Sequence, residues 1–368
     1  MKIALIVPGG VDRSGEVRVI PALLGLIRRL ATGHELHVFA THQEREPATW
    51  QLEGAQIHNL GLPRTALRAA KMIWDEHRRA PFHIVQSMWS GACGMLAVAM
   101  ARVLRAPSVV HIAGGELASL PELEYGGCRS FRGRMRESLV LRLANRVTCA
   151  SRPIVELAAA RGIKALRLPL GVDLQRWPPR CPVARREGEV LRLVHIASLN
   201  RVKDQPTLLQ ALRLIAERGH QFHLDVVGED TLGGTVQEMA AQLGVAQRTA
   251  FHGFLRHSQL RPLVERAHVC LISSRHEAGP LVVLEAGAVG VPTVGTAVGH
   301  IKEWTPHAAL AVPCNDFRSL AASIESVSRD EDLRLRLGGA AHARALNEDA
   351  DQTAHGFNQI YRDLAGPS

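Results

Sequence analysis

Several protein classes are excluded by what the chain lacks. No apolar stretch reaches membrane-spanning length, so no transmembrane helix is expected. The six cysteines, at 93, 128, 149, 181, 270 and 314, form no CxxC pair and no metal-ligand rhythm. They read as reduced, mostly buried thiols rather than a disulfide framework or a zinc site. Aromatic residues make up only 4% of the chain, and no basic tract is interleaved with them. Single-strand binders stack bases on such tracts, so no nucleic-acid partner is expected. No short-period repeat is visible. The opening run Met1 through Pro8 is too short and too early for a secretion signal. It reads as the first core strand of a cytoplasmic protein.

What is present points to a globular enzyme-sized protein. At 368 residues, 46% hydrophobic and 21% charged, the chain can build two domains of ordinary size, each with its own core. A formal charge of +9 suits phosphorylated substrates or an anionic membrane surface. Arg28-Arg29 and the segment from Arg64 through Lys71 are short basic stretches of the kind that touch acidic lipid headgroups, and equally of the kind that make solvated helix faces. Localisation is therefore expected to be cytoplasmic, with the inner face of the membrane as an alternative.

Apolar strand-like runs alternate with helical patterns almost throughout, which predicts an α/β fold with parallel sheets covered on both faces. In the first half, strands are expected near 2–8, 35–40, 83–87, 107–112 and 146–150, with helices near 17–31, 64–79, 91–104, 131–144 and 152–161. A second series starts at 191–197 and continues at 223–228, 268–273 and 293–295. The join falls around Trp177 to Arg186, where prolines and arginines resist packing. This predicts two Rossmann-like domains, 1–180 and 181–350, facing across a cleft, with a terminal helix in 351–368. The G-x-G-x-x-G fingerprint of dinucleotide enzymes is absent after the first strand of either half.

One segment carries the most chemistry. Glu277 and Glu285 stand eight residues apart, and Ala278-Gly279-Pro280 breaks the chain between a strand and a helix that should begin near Pro280. In open parallel sheets, ligands bind outside the strand C-termini. Two carboxylates there suit vicinal hydroxyls, while the helix start at Pro280 and Leu281 suits an anion. The same spacing also fits a dipole-complementing Glu277 and a solvated Glu285. Lys203 follows the first strand of the second half and precedes Asp204, which can cap the next helix. A lysine there is disfavoured by the dipole unless an anion joins it, so Lys203 is a candidate phosphate ligand, with a solvated lysine as the alternative. Arg201 is close in sequence and a weaker candidate. In the first half, Gly9-Gly10 and Arg13 sit in a loop after the first strand, and glycines allow close backbone approach. The stretch Glu116 to Arg132, which contains Tyr125, is too long for a tight connection and is a candidate for acceptor recognition.

The stretch Glu277 through Pro292 resembles the E-x7-E segment of retaining GT-B glycosyltransferases of family 4. Further pieces follow in the family's order: Pro169-Leu170-Gly171-Val172-Asp173, Val226-Val227-Gly228-Glu229 and Phe251-His252-Gly253. The resemblance implies a hexose-type transfer from a UDP-, GDP- or ADP-sugar to a hydroxyl of a glycan or lipid-linked acceptor. It further implies retention of configuration, no cofactor and no metal. It assigns Glu285 to the ribose hydroxyls, Glu277 to the transferred sugar, Lys203 to the diphosphate, and Gly228 to the donor-facing end of its strand. Gly9 and Gly10 resemble the loop lying against donor phosphates and acceptor, which makes Arg13 an acceptor-binding candidate. Departures are visible. Ser198 stands where relatives commonly have an arginine, Pro280 removes a backbone donor, and Ala113 occupies the place of a histidine or arginine. His111, two residues earlier and on the same side of the strand, is the substitute candidate. These departures keep two rivals open: a nucleotide-sugar binding or scaffold protein without turnover, and a sugar-nucleotide epimerase on the same fold.

Overall fold

The structure, a computed structural model, describes residues 1–62 and 65–366. Arg64, at the head of one basic stretch, lies outside the described residues. The chain divides into two compact units, Met1–Asp173 together with the chain from Ala350 on, and Leu174–Asp349.

The first unit holds β1 (Lys2–Val7), β2 (Glu35–Ala40), β3 (Ala48–Leu52), β4 (Ala55–Asn59), β5 (Ile84–Met88), β6 (Ser108–Ile112), β7 (Arg146–Cys149) and β8 (Leu166–Arg167). Its helices are α1 (Pro21–Ala31), α2 (Thr65–Arg79), α3 (Gly91–Leu104), α4 (Phe131–Leu143) and α5 (Arg152–Ala159). The sheet runs β3-β4-β2-β1-β5-β6-β7-β8 and is parallel except for β3, which pairs antiparallel with β4. All six residues of β1 are buried, as a strand covered on both faces requires. The hairpin β3–β4 is not foreseen from the sequence. Its turn is Glu53-Gly54, with φ of 50° and 80°, and a glutamate there carries no recognised turn signal. Helix α1 begins at Pro21 rather than near 17, because Arg18 takes a left-handed φ of 50° and Ile20 N–H donates to Gly10 O.

The second unit holds β9 (Leu191–Ile196), β10 (Phe222–Val227), β11 (Thr249–Phe251), β12 (Val269–Ile272), β13 (Thr293–Thr296) and β14 (Ala309–Val312). Its helices are α6 (Gln205–Glu217), α7 (Thr235–Gln242), α8 (His257–Glu265), α9 (Leu281–Ala288), α10 (Gly299–Trp304), α11 (Phe317–Arg329) and α12 (Glu331–Asn347). The six-stranded sheet runs β11-β10-β9-β12-β13-β14, all parallel. That is the doubly wound order, whose direction of winding reverses between β9 and β12.

The boundary falls at Asp173 and Leu174, seven residues before the expected one at 180. Trp177 accounts for the shift. Although it stands in a proline-rich stretch, it is 2% exposed and packs edge-on against His257 with ring centroids 4.9 Å apart. The last helix, α13 (Ala350–Ala365), belongs to the first unit and packs on α1. Phe357 and Tyr361 are fully buried there, Tyr361 O–H donates to Gln86, and Thr353 Oγ1 donates to Pro169 O over 2.8 Å.

Candidate active site

The reversal point of the second sheet brings two loops together. Strands β9 and β12 are parallel neighbours, so the segments leaving their C-terminal ends lie side by side. The β9 loop turns on Asn200, whose Oδ1 accepts from Val202 N–H at 3.1 Å and Lys203 N–H at 3.2 Å. Asp204 then caps α6, its carboxylate accepting from Thr207 Oγ1 at 2.8 Å. The β12 loop is tied to it from the other side. Arg275 N–H donates to Val202 O, and Ser273 Oγ to Lys203 O, both over 2.7 Å.

These ties set Lys203 against Glu277. The ammonium bonds Glu277 Oε1 at 2.5 Å, and Ser274 Oγ donates to the same oxygen at 2.7 Å. Both side chains are mostly buried. Pro280 is the residue before α9, with φ −66° and ψ 114°, and Leu281 is the first helical residue, so the helix starts one position later than read from sequence. Glu285 is half-buried on α9 and accepts from the indole N–H of Trp177 at 3.1 Å. Burial pushes its carboxyl up to about 7, against the pull of the Trp177 bond.

The remaining second-unit candidates have defined places. Gly228 ends β10 with φ 151°, and a Cβ there would lie 2.0 Å from Ala197 O, so only glycine lets β10 pass the β9 loop. Ser198 is exposed and its carbonyl accepts from Gln205 Nε2 at 3.2 Å. Arg201 is exposed on the same turn, and Gly279 is half-buried just ahead of α9. Sequence reasoning missed Trp177, Gln205 and His195. His195 is fully buried, 3.2 Å from Gln205 Nε2 and 2.9 Å from Leu271 O, and burial holds its imidazole down to about 4. The one available signal was a tryptophan standing in an otherwise polar linker.

In the first unit the structure reassigns several candidates. His111 is fully buried, with Nδ1 2.8 Å from Thr148 Oγ1 and its ring edge-on to Phe357 at 5.7 Å. Burial lowers its pKa to about 3. It is packed against Thr148 and Phe357, and its buried Nε2 has no hydrogen-bond partner among the described residues. Glu116 is also buried. Its carboxylate accepts from the backbone N–H groups of Ser90 and Ala113 at 3.3 Å and of Gly114 at 2.7 Å. It therefore ties the β5 and β6 loop ends to each other, and burial pushes its carboxyl up to about 7. Tyr125 covers Gly115 so closely that a Cβ there would fall 2.5 Å from the ring. The amide of Gly10, expected to face phosphate, donates instead to Gln43 Oε1 at 2.7 Å, and a Cβ on Gly9 would meet the same oxygen at 3.2 Å. Arg13 is exposed, forms a two-bond pair with Glu44 at 3.1 and 3.0 Å, and lies over the Trp50 ring.

The reading of one basic stretch also changes. Arg28 and Arg29 are not a lipid-facing pair: both bond Asp173, and Arg29 also bonds Asp351. Two Asp-x-Asp triplets occur, at Asp330 to Asp332 and Asp349 to Asp351, and neither follows a strand. Asp330 caps α12 by accepting from Leu333 N–H, and Asp351 holds Arg29.

Two doubly wound α/β units, the second with a lysine and two glutamates around its reversal point, define a protein of the GT-B type. The chain belongs to the group 1 glycosyl transferases: residues 183–344 match the model "Glycosyl transferases group 1" and residues 19–171 the model "Glycosyl transferase 4-like domain". Among curated relatives, a glycogen synthase of Mycobacterium tuberculosis is 29% identical over 194 residues, covering 52% of this chain and 46% of that protein. The chain thus spans about half the length of such relatives. Among solved structures, a sucrose-phosphate synthase from Thermosynechococcus elongatus superposes with a TM-score of 0.80 at 19% identity, covering 99% of both chains. Anabaena HepE in complex with UDP and glucose superposes at 0.75 and 16% identity, covering 99% of this chain and 100% of that one.

Proposed function

We propose that the protein is a retaining glycosyltransferase that moves a hexose-type sugar from a nucleotide diphosphate donor to a hydroxyl of a glycan or glycolipid acceptor, without metal. The observation that carries this reading is the Lys203–Glu277 pair at the reversal point, with Glu285 half-buried beside Trp177 on the following helix. A leaving nucleoside diphosphate accumulates charge on its phosphates. In this reading Lys203 turns from Glu277 to the diphosphate, and Glu277, released, accepts hydrogen bonds from the transferred sugar. Glu285 accepts from the ribose hydroxyls. The second unit binds the donor and the first binds the acceptor. The structure of HepE, a protein of this fold solved in complex with UDP and glucose, makes a UDP-sugar the first donor to test.

His111 has no part in this proposal, and neither does the amide of Gly10. Arg13 and the ordered loop from Glu116 through Tyr125 remain the acceptor-side proposal, with Glu116 acting through the backbone it holds rather than by touching the acceptor.

The test is a thermal-shift screen against UDP, GDP, ADP and their common sugar derivatives. At a nucleotide concentration about a hundredfold above Kd, stabilisation of about 2.7 kcal/mol is expected for one base. Lys203→Ala and Glu285→Ala should each abolish most of it. No shift with any nucleotide, or shifts untouched by both variants, removes the donor-site assignment.

A further inference from the structure

In the first unit, the loop between β6 and α4 closes on itself through a narrow neck. Cys128 N–H donates to Ala118 O at 3.0 Å and Gly127 N–H to Gly115 O at 2.8 Å. Helix α4 packs directly on that neck, since a Cβ on Gly133 would lie 2.1 Å from Gly127 O. Beside the neck a cavity of about 310 Å³ opens. Its floor is apolar. Leu117, Leu141 and Ile163 come from the loop, from α4 and from the segment after α5, and all three are buried.

Three arginines, Arg134, Arg142 and Arg161, line the same cavity. Backbone carbonyls orient two of them. Arg134 donates to Cys128 O at 3.3 Å, and Arg161 donates to Leu117 O at 2.9 Å and Leu157 O at 3.0 Å. Each guanidinium carries five N–H donors, more than these bonds use. Glu137 is the sole carboxylate in the lining, and it is already met by Ser90 Oγ and by two N–H groups of Arg136 at 3.2 and 2.9 Å. The cavity therefore presents an excess of positive charge. Leu117 O and Cys128 O stand on opposite sides of the neck, so its arginines grip the loop both where it departs and where it returns.

Planar guanidinium forks match phosphate oxygens, and a phosphate ester presents three of them. The apolar floor suits a hydrocarbon body behind that head. A nucleotide fits worse, because its base and ribose would set polar groups against the floor without partners. We propose that this cavity binds a small phosphate ester with an apolar body, whose phosphate draws Arg134 and Arg161 together and so braces the loop at both sides of its neck. The site stands independently of the donor assignment; only an effect on acceptor turnover would rest on the function proposed above.

The experiment is isothermal titration of the full chain with phenyl phosphate, beside inorganic phosphate and benzyl alcohol. Phenyl phosphate should bind at one equivalent. The other two should bind about tenfold more weakly, since one lacks the ring and the other the charge. Arg142→Gln removes an exposed guanidinium and should weaken binding about tenfold. Ser138→Phe, at a half-buried lining position, fills the cavity without altering its charge and should abolish binding. Ser138→Leu takes its place should that variant lose its fold. Lys203→Ala, in the second unit, should change nothing. On saturation, hydrogen exchange of the amides from Ala118 to Cys128 should slow by about tenfold. Absence of phenyl phosphate binding overturns the proposal, and so does binding lost in Lys203→Ala, which would put the ligand at the donor site. Binding that a folded Ser138 variant leaves intact reduces the cavity to surface charge and overturns it equally. Binding with unchanged loop exchange overturns the bracing.

Discussion

Glu285 stands on α9 with its carboxyl pushed up to about 7 by burial, from a usual value of 4.5. The folded chain therefore holds this proton more tightly than the unfolded one. The resulting stability is complete below the unfolded value and is lost as pH rises through about 7. Donor binding runs the other way, because ribose hydroxyls donate to the carboxylate and not to the acid. Nucleotide affinity should rise by about tenfold between roughly pH 6 and pH 8 from this group alone. The phosphates of the ligand titrate in the same range, so Glu285→Gln is the necessary reference: it keeps that background and removes the carboxylate. Isothermal titration of both proteins across this range decides the matter, and equal slopes would sink the assignment. Lys203 and Glu277 were legible in the sequence because each follows its own strand, and strand ends are visible locally. Their contact was not, since it depends on β9 and β12 being neighbours. Trp177 was misread for the same reason: its partner Glu285 lies 108 residues away. The surroundings of His111 were hidden differently. Strand alternation gives its side, but the layer covering that side is α13, from the far end of the chain.

At the scale of elements, the tightest crossing near the candidate site is where β10 passes the loop after β9. Gly228 makes that crossing possible, with Ala197 O where a side chain would begin. Gly253 also has a left-handed φ, of 66°, yet nothing lies within 4 Å of its missing Cβ. The two positions separate steric exclusion from backbone preference. Gly253→Ala should cost about 1 kcal/mol, the ordinary strain of that conformation. Gly228→Ala should cost about 3 kcal/mol or more, because strand and loop must part. Urea unfolding of the two variants measures the difference, and similar losses at both would refute the crowding argument. Most elements were legible because fully buried parallel strands and amphipathic helices leave strong periodic signals. The hairpin β3–β4 was not, since its turn uses Glu53, and β8, two residues long, is too short to stand out.

For the whole molecule, the two units have separate cores that share no residue. The first unit's core is nevertheless discontinuous in sequence: Ala354, Phe357, Ile360 and Tyr361 of α13 join Ile3, Leu5 and Val7 of β1. A chain ending at Asp349 keeps every residue of the second core and loses four from the first. Removing Phe357 alone should cost about 3–5 kcal/mol, and the loss of Tyr361 also leaves buried Gln86 without the hydroxyl it bonds. Against a domain stability of about 5–15 kcal/mol, the truncated first unit should not hold its fold. Hydrogen exchange of the truncated chain should then show amides of β1 and β5 exchanging freely while those of β9 and β12 stay protected. Uniform protection in both units would mean that α13 only decorates the first core. Uniform loss would mean that the second unit cannot stand without the first, and the division into independent cores would have to be abandoned.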